Sequence, residues 1–411
     1  LNNYEQTLNN SGFLTGLNNM NKYIFQISTR YLKIGIGIIT AFLILQCKAE
    51  EVQFTDVFVS GEGGFKSIRI PSVVVSTKGT ILAFAEGRAA NADQAQNKII
   101  LKRSVDNGNN WGEMQIIADD GKNSLNNPCA VIEKNSGRII LFYQSYPEKL
   151  PERSKYLEPG YDGTNIVRSY MIYSDDDGLN WSKPRDLTKA VKNKDATILA
   201  SGPGIGIQLQ KGQYKGRLIM PFNEGHFGKW YVLSVYSDDF GEKWKPGEPA
   251  PGSIITDEKN QEISLVNEVQ MVELSDGSVM LNSRKWGGRA LRKIAISKDG
   301  GITWSKITED PALRDNGCMA SIYAYSHNGK YCIMFSHPDS VRRENGTIRV
   351  SFDDAKTWQV KKVLYKGGFA YSVLTSLPNG TIGCLFEADN YKRIVFAKFS
   401  FQWLTSESKN E

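Results

Sequence analysis

Short runs of apolar residues, each bounded by glycine, asparagine or proline, recur along most of the chain. Residues 138–143, 216–221 and 380–386 are three such runs of aliphatic and aromatic side chains. Runs of this length between turn residues predict β-strands. Beyond residue 50 no long stretch has the three-to-four-residue spacing of an amphipathic helix. The pattern therefore predicts an all-β fold.

A turn motif, which we call the box, is repeated five times between these runs, with the pattern Ser-x-Asp-x-Gly-x-x-Trp. The copies begin at Ser104, Ser174, Ser237, Ser297 and Ser351. The aspartate accepts hydrogen bonds from backbone amides and closes the turn, and the glycine takes a positive φ at little cost. We expect the tryptophan to pack between neighbouring hairpins. The last copy has Ala355 in place of glycine, which predicts a slightly different turn there.

The spacing of the boxes bears on the architecture. Their starts are separated by 70, 63, 60 and 54 residues, and a β-unit of this size with a fixed turn is typical of one blade of a propeller. No linker rich in proline, glycine or serine divides the chain after residue 50. We therefore predict a six-bladed β-propeller in one domain, residues 52–405.

The first 49 residues have the pattern of a targeting segment. An apolar run at residues 34–45 is followed by Ala49 and preceded by the basic residues Lys22, Arg30 and Lys33. A basic flank, a short apolar core and a small residue at the end describe a signal peptide, and the run is short for a membrane span of ~20 residues. We predict cleavage near Ala49 and export of the chain to the periplasm, the cell surface or the medium.

Two alternatives stay open for this segment. Cys47 is a candidate for lipid attachment, although Gln46 stands where a small residue is typical. The polar, asparagine-rich residues 1–19 precede Met20, which is an alternative start of translation.

The composition of the chain argues against several classes of protein. The 411 residues are 40% hydrophobic and 23% charged, which is an ordinary globular balance. A net charge of +6 is small for this length and gives no case for nucleic-acid binding. Three histidines leave little room for a histidine-based metal site, and five cysteines are too few for a disulfide scaffold.

The order of several short motifs resembles that of the sialidases. The motifs are Arg-Ile-Pro at 69–71, Glu-Gly-Arg at 86–88 leading to Asp93, Asn-Pro at 127–128, Asn-Glu at 267–268, Asn-Ser-Arg at 282–284, Arg-Glu-Asn-Gly at 343–346 and Ala-Tyr-Ser at 370–372. Each motif is weak alone, but their ordered combination with five boxes is specific and spans residues 57–399. The chain is thus similar to the exo-α-sialidases (neuraminidases) of glycoside hydrolase family 33.

The resemblance implies which groups hold the substrate. A sialic acid carries a carboxylate on its anomeric carbon, and planar guanidinium groups pair with carboxylates through two parallel hydrogen bonds. The family uses three arginines, which match Arg69, Arg284 and Arg343. Arg342 and Arg349 are close to the third in sequence, but the Arg-Glu-Asn-Gly motif favours Arg343.

The resemblance also implies the reacting groups. Asp93 matches the general acid and base that protonates the leaving oxygen. Tyr371 matches a tyrosine nucleophile, an exception among glycosidases, and a neutral tyrosine avoids repulsion by the substrate's carboxylate. Because a tyrosine with a pKa near 10 is a weak nucleophile at neutral pH, it needs a base, and Glu268 matches that base.

Further implications concern neighbouring groups and partners. Glu387 matches an acidic residue that orients the first arginine, and Arg88 and Asn127 match substrate-contact positions. Residues 316–321 depart from some relatives, which leaves contacts and linkage preference open there. The resemblance implies a retaining hydrolase that acts on sialylated glycoconjugates, with no metal or other cofactor. We also predict a monomer, with no nucleic-acid partner and no membrane span in the mature chain.

Other functions stay open on this evidence. Trans-sialidases and intramolecular trans-sialidases use the same groups but transfer the sugar. A non-catalytic sialic-acid-binding propeller needs only the arginines, so Asp93, Glu268 and Tyr371 argue against it. A box-containing propeller used for protein interactions does not account for the ordered motifs.

Overall fold

A computed structural model describes residues 51–406 except 289 and 328. The predicted signal peptide of residues 1–49 lies outside the described residues, so it and the predicted domain boundary stay predictions. The described part contains two short α-helices, α1 (Thr188–Val191) and α2 (Phe401–Thr405), and a 3-10 helix (Glu62–Gly64). Neither α-helix of this part has the length and apolar character that crossing a bilayer requires.

Strands make up the rest of the regular structure. In the first half of the chain they are β1 (Gln53–Val59), β2 (Ser67–Val75), β3 (Ile81–Arg88), β4 (Lys98–Ser104), β5 (Gln115–Ala118), β6 (Ser124–Ile132), β7 (Ile139–Tyr146), β8 (Arg168–Ser174), β9 (Arg185–Asp186), β10 (Ile198–Ser201), β11 (Gly204–Ile205) and β12 (Ile207–Gln208). In the second half they are β13 (Leu218–His226), β14 (Lys229–Ser237), β15 (Lys245–Pro246), β16 (Ile254–Thr256), β17 (Glu262–Ser264), β18 (Val269–Glu273), β19 (Val279–Ser283), β20 (Ala290–Ser297), β21 (Thr308–Asp315), β22 (Ser321–His327), β23 (Lys330–Pro338), β24 (Glu344–Ser351), β25 (Val360–Ser376), β26 (Ile382–Ala388) and β27 (Arg393–Phe399).

In most sheets, strands that follow one another in the chain lie side by side. The orders are β2-β3-β4-β5, β11-β6-β7-β8-β9, β10-β13-β14-β15 with β12 beside β13, β16-β17, β18-β19-β20-β21 and β22-β23-β24-β25-β26-β27-β1. The apolar runs at 138–143, 216–221 and 380–386 overlap β7, β13 and β26. The all-β prediction is therefore confirmed, whereas these sheets do not by themselves establish the number of blades.

The seven-stranded sheet joins the two ends of the described chain. β1 pairs antiparallel with β27, from Gln53 opposite Lys398 to Val59 opposite Arg393. β2 contacts both β6 and β25, which belong to two other sheets, and we call these three the inner strands. The sheets are thus packed with their inner strands side by side, and residues from distant parts of the chain meet at the ends of those strands.

The box turns share one set of hydrogen bonds in all five copies. The serine Oγ accepts a bond of 2.8–2.9 Å from the backbone N–H four residues later and donates one of 2.7–2.9 Å to the aspartate. In the last copy Ala355 has φ 60°, against 79–92° for the glycines of the other four. The predicted difference in this turn is therefore confined to the backbone angle, and the hydrogen bonds are kept.

The box tryptophans pack between sheets, as the sequence predicted. Trp181 meets Phe84 of the preceding sheet edge to face, with ring centroids 5.8 Å apart. Trp244 meets Phe142 in the same manner at 4.8 Å. Edge-to-face pairs of this kind add to the stabilisation from burial alone, so these two boxes tie their sheets to the ones before them.

Candidate active site

A pocket of about 270 Å³ opens among the ends of the inner strands and the connections beside them. It is lined by eight of the nine residues that the family resemblance assigns, namely Arg69, Arg88, Asp93, Asn127, Glu268, Arg284, Arg343 and Tyr371. The ninth, Glu387, lies directly behind Arg69. The fold therefore brings all nine positions to one place.

Arg69 lies in β2 and is held by Glu387 of β26. Its Nε and Nη2 donate to the two carboxylate oxygens at 2.6 and 3.1 Å. Its Cζ lies 3.8 Å from the ring centroid of Tyr391, so the guanidinium also stacks on that ring. Burial alone lowers the pKa of Arg69, but the charge and hydrogen bonds of Glu387 outweigh burial and raise the pKa, so the side chain stays cationic. Among the described residues Nη1 has no hydrogen-bond partner, which leaves it available to a ligand.

Arg284 follows β19 and has several partners. Its Nε and Nη2 donate to Oδ1 of Asn267 at 2.9 and 2.7 Å. Its Nη1 donates to the Gly317 carbonyl at 2.9 Å and to the Tyr371 hydroxyl at 3.1 Å. Its Nε also lies 3.0 Å from Oε2 of Glu268, although that oxygen has no bond of hydrogen-bond geometry. Arg284 is thus fixed between the base and the nucleophile that the resemblance implies.

Arg343 precedes β24 and occupies the third position. Its Nη2 donates to the Gly317 carbonyl at 2.6 Å, and its Nη1 donates to the Tyr391 hydroxyl at 3.1 Å. Arg342 is exposed, and Arg349 is paired with an aspartate outside the pocket. The structure therefore brings Arg343, and neither of its neighbours, into the pocket. Gly317 belongs to the segment that departs from some relatives, but it acts through its backbone.

Tyr371 of β25 lies among the three arginines. The Cζ atoms of Arg69, Arg284 and Arg343 are 5.8, 6.0 and 5.3 Å from its ring centroid. Its hydroxyl donates a 2.6 Å hydrogen bond to Oε1 of Glu268. Burial raises the pKa of Tyr371 well above its usual value, opposed by Arg284 and Arg343 and assisted by Glu268. The phenol is therefore protonated in the free site, and its proton points at a carboxylate that can take it.

Asp93 lies in the connection between β3 and β4 and is open to solvent. Its side chain is 71% exposed, and Oδ1 accepts a 2.9 Å hydrogen bond from Nη1 of Arg88. Arg88 is itself buried, with Nε and Nη2 held by Glu86 at 2.8 and 2.7 Å. The backbone carbonyl of Asp93 accepts a 2.8 Å bond from the Asn126 side chain. The buried Arg88–Glu86 pair thus supports the carboxyl group of Asp93, which reaches into the open part of the pocket.

Asn127 lies in β6, beside the Arg88–Glu86 pair. Its φ is 55°, in the left-handed region that asparagine tolerates better than most residues. Its backbone N–H donates to Oε1 of Glu86 at 2.7 Å. Its side chain makes no hydrogen bond to another described residue, so the amide is available on the pocket wall.

These groups allow a definite kind of chemistry. Three guanidinium groups around one aromatic ring favour an anion with a planar carboxylate. The Tyr371–Glu268 pair has the nucleophile-and-base arrangement of covalent catalysis. Asp93 lies on the exposed side, where a leaving group has room. Within the described ranges no three or more His, Cys, Asp or Glu side chains are grouped to hold a metal ion.

Comparison with known proteins agrees with this arrangement. The model of the BNR repeat-like domain family matches residues 79–384. The chain belongs to this family. A sialidase of Micromonospora viridifaciens is 34% identical over 364 residues, which cover 85% of this chain and 54% of that protein. A sialidase of Bacteroides fragilis (strain YCH46) is 27% identical over 350 residues, which cover 80% of this chain and 61% of that protein.

Solved structures support the same fold for this family member. A Hadza microbial sialidase, Hz136, has a TM-score of 0.75 at 26% identity, covering 86% of this chain and 69% of that one. An intramolecular trans-sialidase from Ruminococcus gnavus has a TM-score of 0.71 at 21% identity, covering 86% of this chain and 99% of that one, which bears on the fold alone. The chain spans between about half and two thirds of the length of the two bacterial relatives.

Sequence reasoning missed four features of this family member's pocket. Asn267, which holds Arg284, directly precedes Glu268 in the Asn-Glu motif, so this motif could have indicated its role. Tyr391 lies in the turn between β26 and β27, and no motif marks it. Gly317 acts through its carbonyl, which side-chain patterns do not reveal. Glu152 lines the pocket from the segment between β7 and β8, and nothing in the sequence distinguishes it from other surface glutamates.

A larger cavity of about 700 Å³ lies at the opposite ends of the inner strands. Its wall includes Val73 and Val75 of β2 and Thr375 of β25, several residues beyond the pocket residues of the same strands. Its charged residues are two lysines and one glutamate, and it contains no arginine. Charge and not volume therefore distinguishes the candidate active site from this cavity.

Proposed function

We propose that the chain is an exo-α-sialidase, which hydrolyses terminal α-linked sialic acids of glycoproteins, glycolipids and oligosaccharides. The observation that carries the proposal is the Tyr371–Glu268 hydrogen bond of 2.6 Å inside a ring of three arginines. The arginines suit the substrate carboxylate, and the tyrosine pair suits attack on the carbon that bears it. The sialidase relatives supply the substrate class.

The proposed reaction retains the configuration at the anomeric carbon. Protonated Asp93 gives its proton to the glycosidic oxygen as the bond to the aglycone breaks. The Tyr371 oxygen bonds to the anomeric carbon while its proton passes to Glu268. Asp93, now a carboxylate, takes a proton from water, and the resulting hydroxide oxygen displaces Tyr371, which recovers its proton from Glu268. Two displacements leave the sugar in its original configuration.

The charges of the free site suit a neutral nucleophile. A carboxylate at this position would face the substrate's own carboxylate at close range. The raised pKa of Tyr371, caused first by burial, keeps the phenol neutral until the base takes its proton. Glu268 is therefore needed in the attack itself, because solvent at neutral pH does not ionise the phenol.

We also propose that the sheets form the six blades of a propeller. In β25, residues 360–368 pair with β24, and residues 369–376 pair with β26. Dividing the seven-stranded sheet at this point gives β22-β23-β24-β25 and β25-β26-β27-β1. Together with the four other sheets of four or five strands, this makes six units in one domain of residues 52–405.

Export of the chain is a further part of the proposal and rests on the basic and apolar pattern of residues 22–49. N-terminal sequencing of the protein from the exported fraction should find Glu50 as the first residue. An uncut chain in that fraction would contradict cleavage near Ala49, and a lipid mass on Cys47 would favour tethering.

Hydrolysis of a fluorogenic α-sialoside without added metal tests the catalytic proposal. Tyr371→Phe keeps the ring among the arginines but removes the reacting oxygen, so kcat should fall at least a thousandfold. Tyr143→Phe, at a buried tyrosine outside the pocket, is the matched control and should retain activity. Full hydrolysis by Tyr371→Phe would overturn the mechanism. NMR of the first product distinguishes released α-sialic acid from a transferred or anhydro sugar.

A further inference from the structure

Glu152 differs from the other carboxylates of the pocket in having no cationic partner. Glu268 lies against Arg284, and Asp93 lies against Arg88. Glu152 lines the same pocket, but its carboxyl group makes no ion pair or hydrogen bond with any other described residue. Ionising an unpaired carboxyl group in a small pocket costs free energy. We therefore looked for a role of Glu152 in ligand binding.

The backbone holds Glu152 next to the acid–base loop. Its N–H donates a 3.2 Å hydrogen bond to Oε1 of Gln94, the residue that follows Asp93. Tyr146 and Asn126 line the pocket on the same side. Glu152 is therefore fixed in place through its main chain, and its carboxyl group is left free to contact a ligand.

The surrounding charges set the protonation of Glu152. Burial is the main cause that raises its pKa to about 7; Arg284 opposes this rise, and Glu268 and Asp93 add to it. The other ionisable groups that line the pocket are Arg69, Arg88, Arg343, Tyr146 and Tyr371. Both tyrosines are neutral, because burial raises the pKa of each. Near neutral pH the carboxyl of Glu152 is therefore divided between its neutral and ionised forms.

We propose that Glu152 binds the substrate through its neutral carboxyl group and that ionisation of this group weakens binding. The proposal rests on the sialidase function proposed above. A neutral carboxyl both donates and accepts a hydrogen bond, which suits the hydroxyl and acylamino groups of a sialic acid. An ionised carboxyl only accepts, and it adds a further negative charge to a pocket that must take an anion. Glu152 is thus a pH-sensitive specificity residue.

The size of the effect follows from the fraction of sites in the competent form. With only the neutral form binding and a pKa of about 7, the apparent KM should rise about tenfold between pH 6 and pH 8. In Glu152→Gln the side chain keeps a donor and an acceptor but does not titrate. Its KM should therefore stay nearly constant over this range, while kcat should follow the same pH profile as in the native enzyme.

Steady-state kinetics of the full chain at pH 6, 7 and 8 test the proposal, with Glu158→Gln as the matched control. Glu158 is an exposed glutamate of the same segment, and its variant should show the native rise in KM. A Glu152→Gln variant whose KM rises as steeply as that of the native enzyme overturns the proposal. So does a Glu152→Ala variant with native KM at pH 6, because the carboxyl would then make no contact.

A binding measurement separates this proposal from the catalytic one. Calorimetric titration with N-acetylneuraminic acid at pH 6 and pH 8 needs no turnover. A chain that fails to hydrolyse sialosides but binds this sugar about tenfold more weakly at pH 8 would support the role of Glu152 and contradict the catalytic proposal. Absence of binding at both pH values overturns the role of Glu152.

Discussion

Glu387 holds the side chain of Arg69 and also the backbone N–H groups of Ile70 and Tyr371. The two side chains are 318 residues apart in sequence and form two hydrogen bonds, of 2.6 and 3.1 Å. The same carboxylate accepts the backbone N–H of Ile70 at 2.9 Å and that of Tyr371 at 3.3 Å. Ile70 has φ 60°, a strained conformation for a β-branched residue. Glu387 thus fixes an arginine, a strained residue of β2 and the strand of the nucleophile together.

Glu387→Gln tests this combined role. The variant keeps the size of the side chain but removes the charge opposite Arg69, which is mostly buried. We expect KM to rise at least tenfold, because the guanidinium loses its orientation. The free energy of unfolding should fall by about 3 kcal/mol, because a buried cation is left unpaired. Sialoside kinetics and urea unfolding measure the two effects.

Asp339→Asn is the matched control for Glu387→Gln. The Arg349–Asp339 pair is similarly buried but lies outside the pocket. This control should lose stability and keep its native KM. Equal changes in KM for the two variants would mean that Glu387 acts only through global stability.

Asp93→Asn should discriminate between leaving groups. An unactivated sialyl disaccharide needs its leaving oxygen protonated, so kcat/KM should fall at least a hundredfold. A phenolic aglycone leaves without much acid help, and the loss of kcat/KM on it should be at least ten times smaller. Asp119→Asn, which breaks a partly exposed ion pair with Lys98, is the control and should leave kcat/KM unchanged on both substrates. Equal losses on both substrates would exclude Asp93 as the acid.

Ser237→Ala measures what a box contributes to stability. Ser237 is buried, and its Oγ accepts the Gly241 N–H and donates to Asp239, both at 2.9 Å. The alanine variant leaves a buried N–H unsatisfied, so the free energy of unfolding should fall by about 1–3 kcal/mol. Urea unfolding followed by tryptophan fluorescence measures this change. The exposed Ser326→Ala should stay within about 0.5 kcal/mol of the native value, and an equally small change in Ser237→Ala would exclude a stabilising box.

The sequence was most informative where chemistry and local geometry coincide. The box hydrogen bonds join residues two to four positions apart. The role of the aspartate as an acceptor of backbone N–H groups was predicted from the motif, whereas the serine bonds, which the copy with Ala355 keeps, were not. The pairing of Arg69 with Glu387 needed the family resemblance, because it depends on the meeting of β2 and β26. Among three nearby arginines, a short motif selected the one that lines the pocket.

The remaining features depend on the path of the chain between strands. Glu152 lies in a segment with no regular structure, and only the packing of that segment brings it beside Gln94. Tyr391 is reached through a turn whose residues have φ of 52–68°, and no periodicity specifies where its ring points. Gly317 acts through its backbone carbonyl, a group that every residue type has, so no sequence pattern could single it out. Such contacts follow from tertiary packing and not from local preference.

The pairing of β1 with β27 has a consequence for the order of events on the ribosome. Asp56 of β1 and Arg393 of β27, joined by a 2.6 Å ion pair, are 337 residues apart, so β1 emerges long before its partner exists. Glu387 is likewise made 318 residues after Arg69, the side chain that it holds. A nascent chain that stalls before residue 387 lacks both partners, so Arg69 is still unsupported and the edge of β1 is unpaired. Synthesis of β26 and β27 therefore supplies the partners of Arg69 and of β1 together.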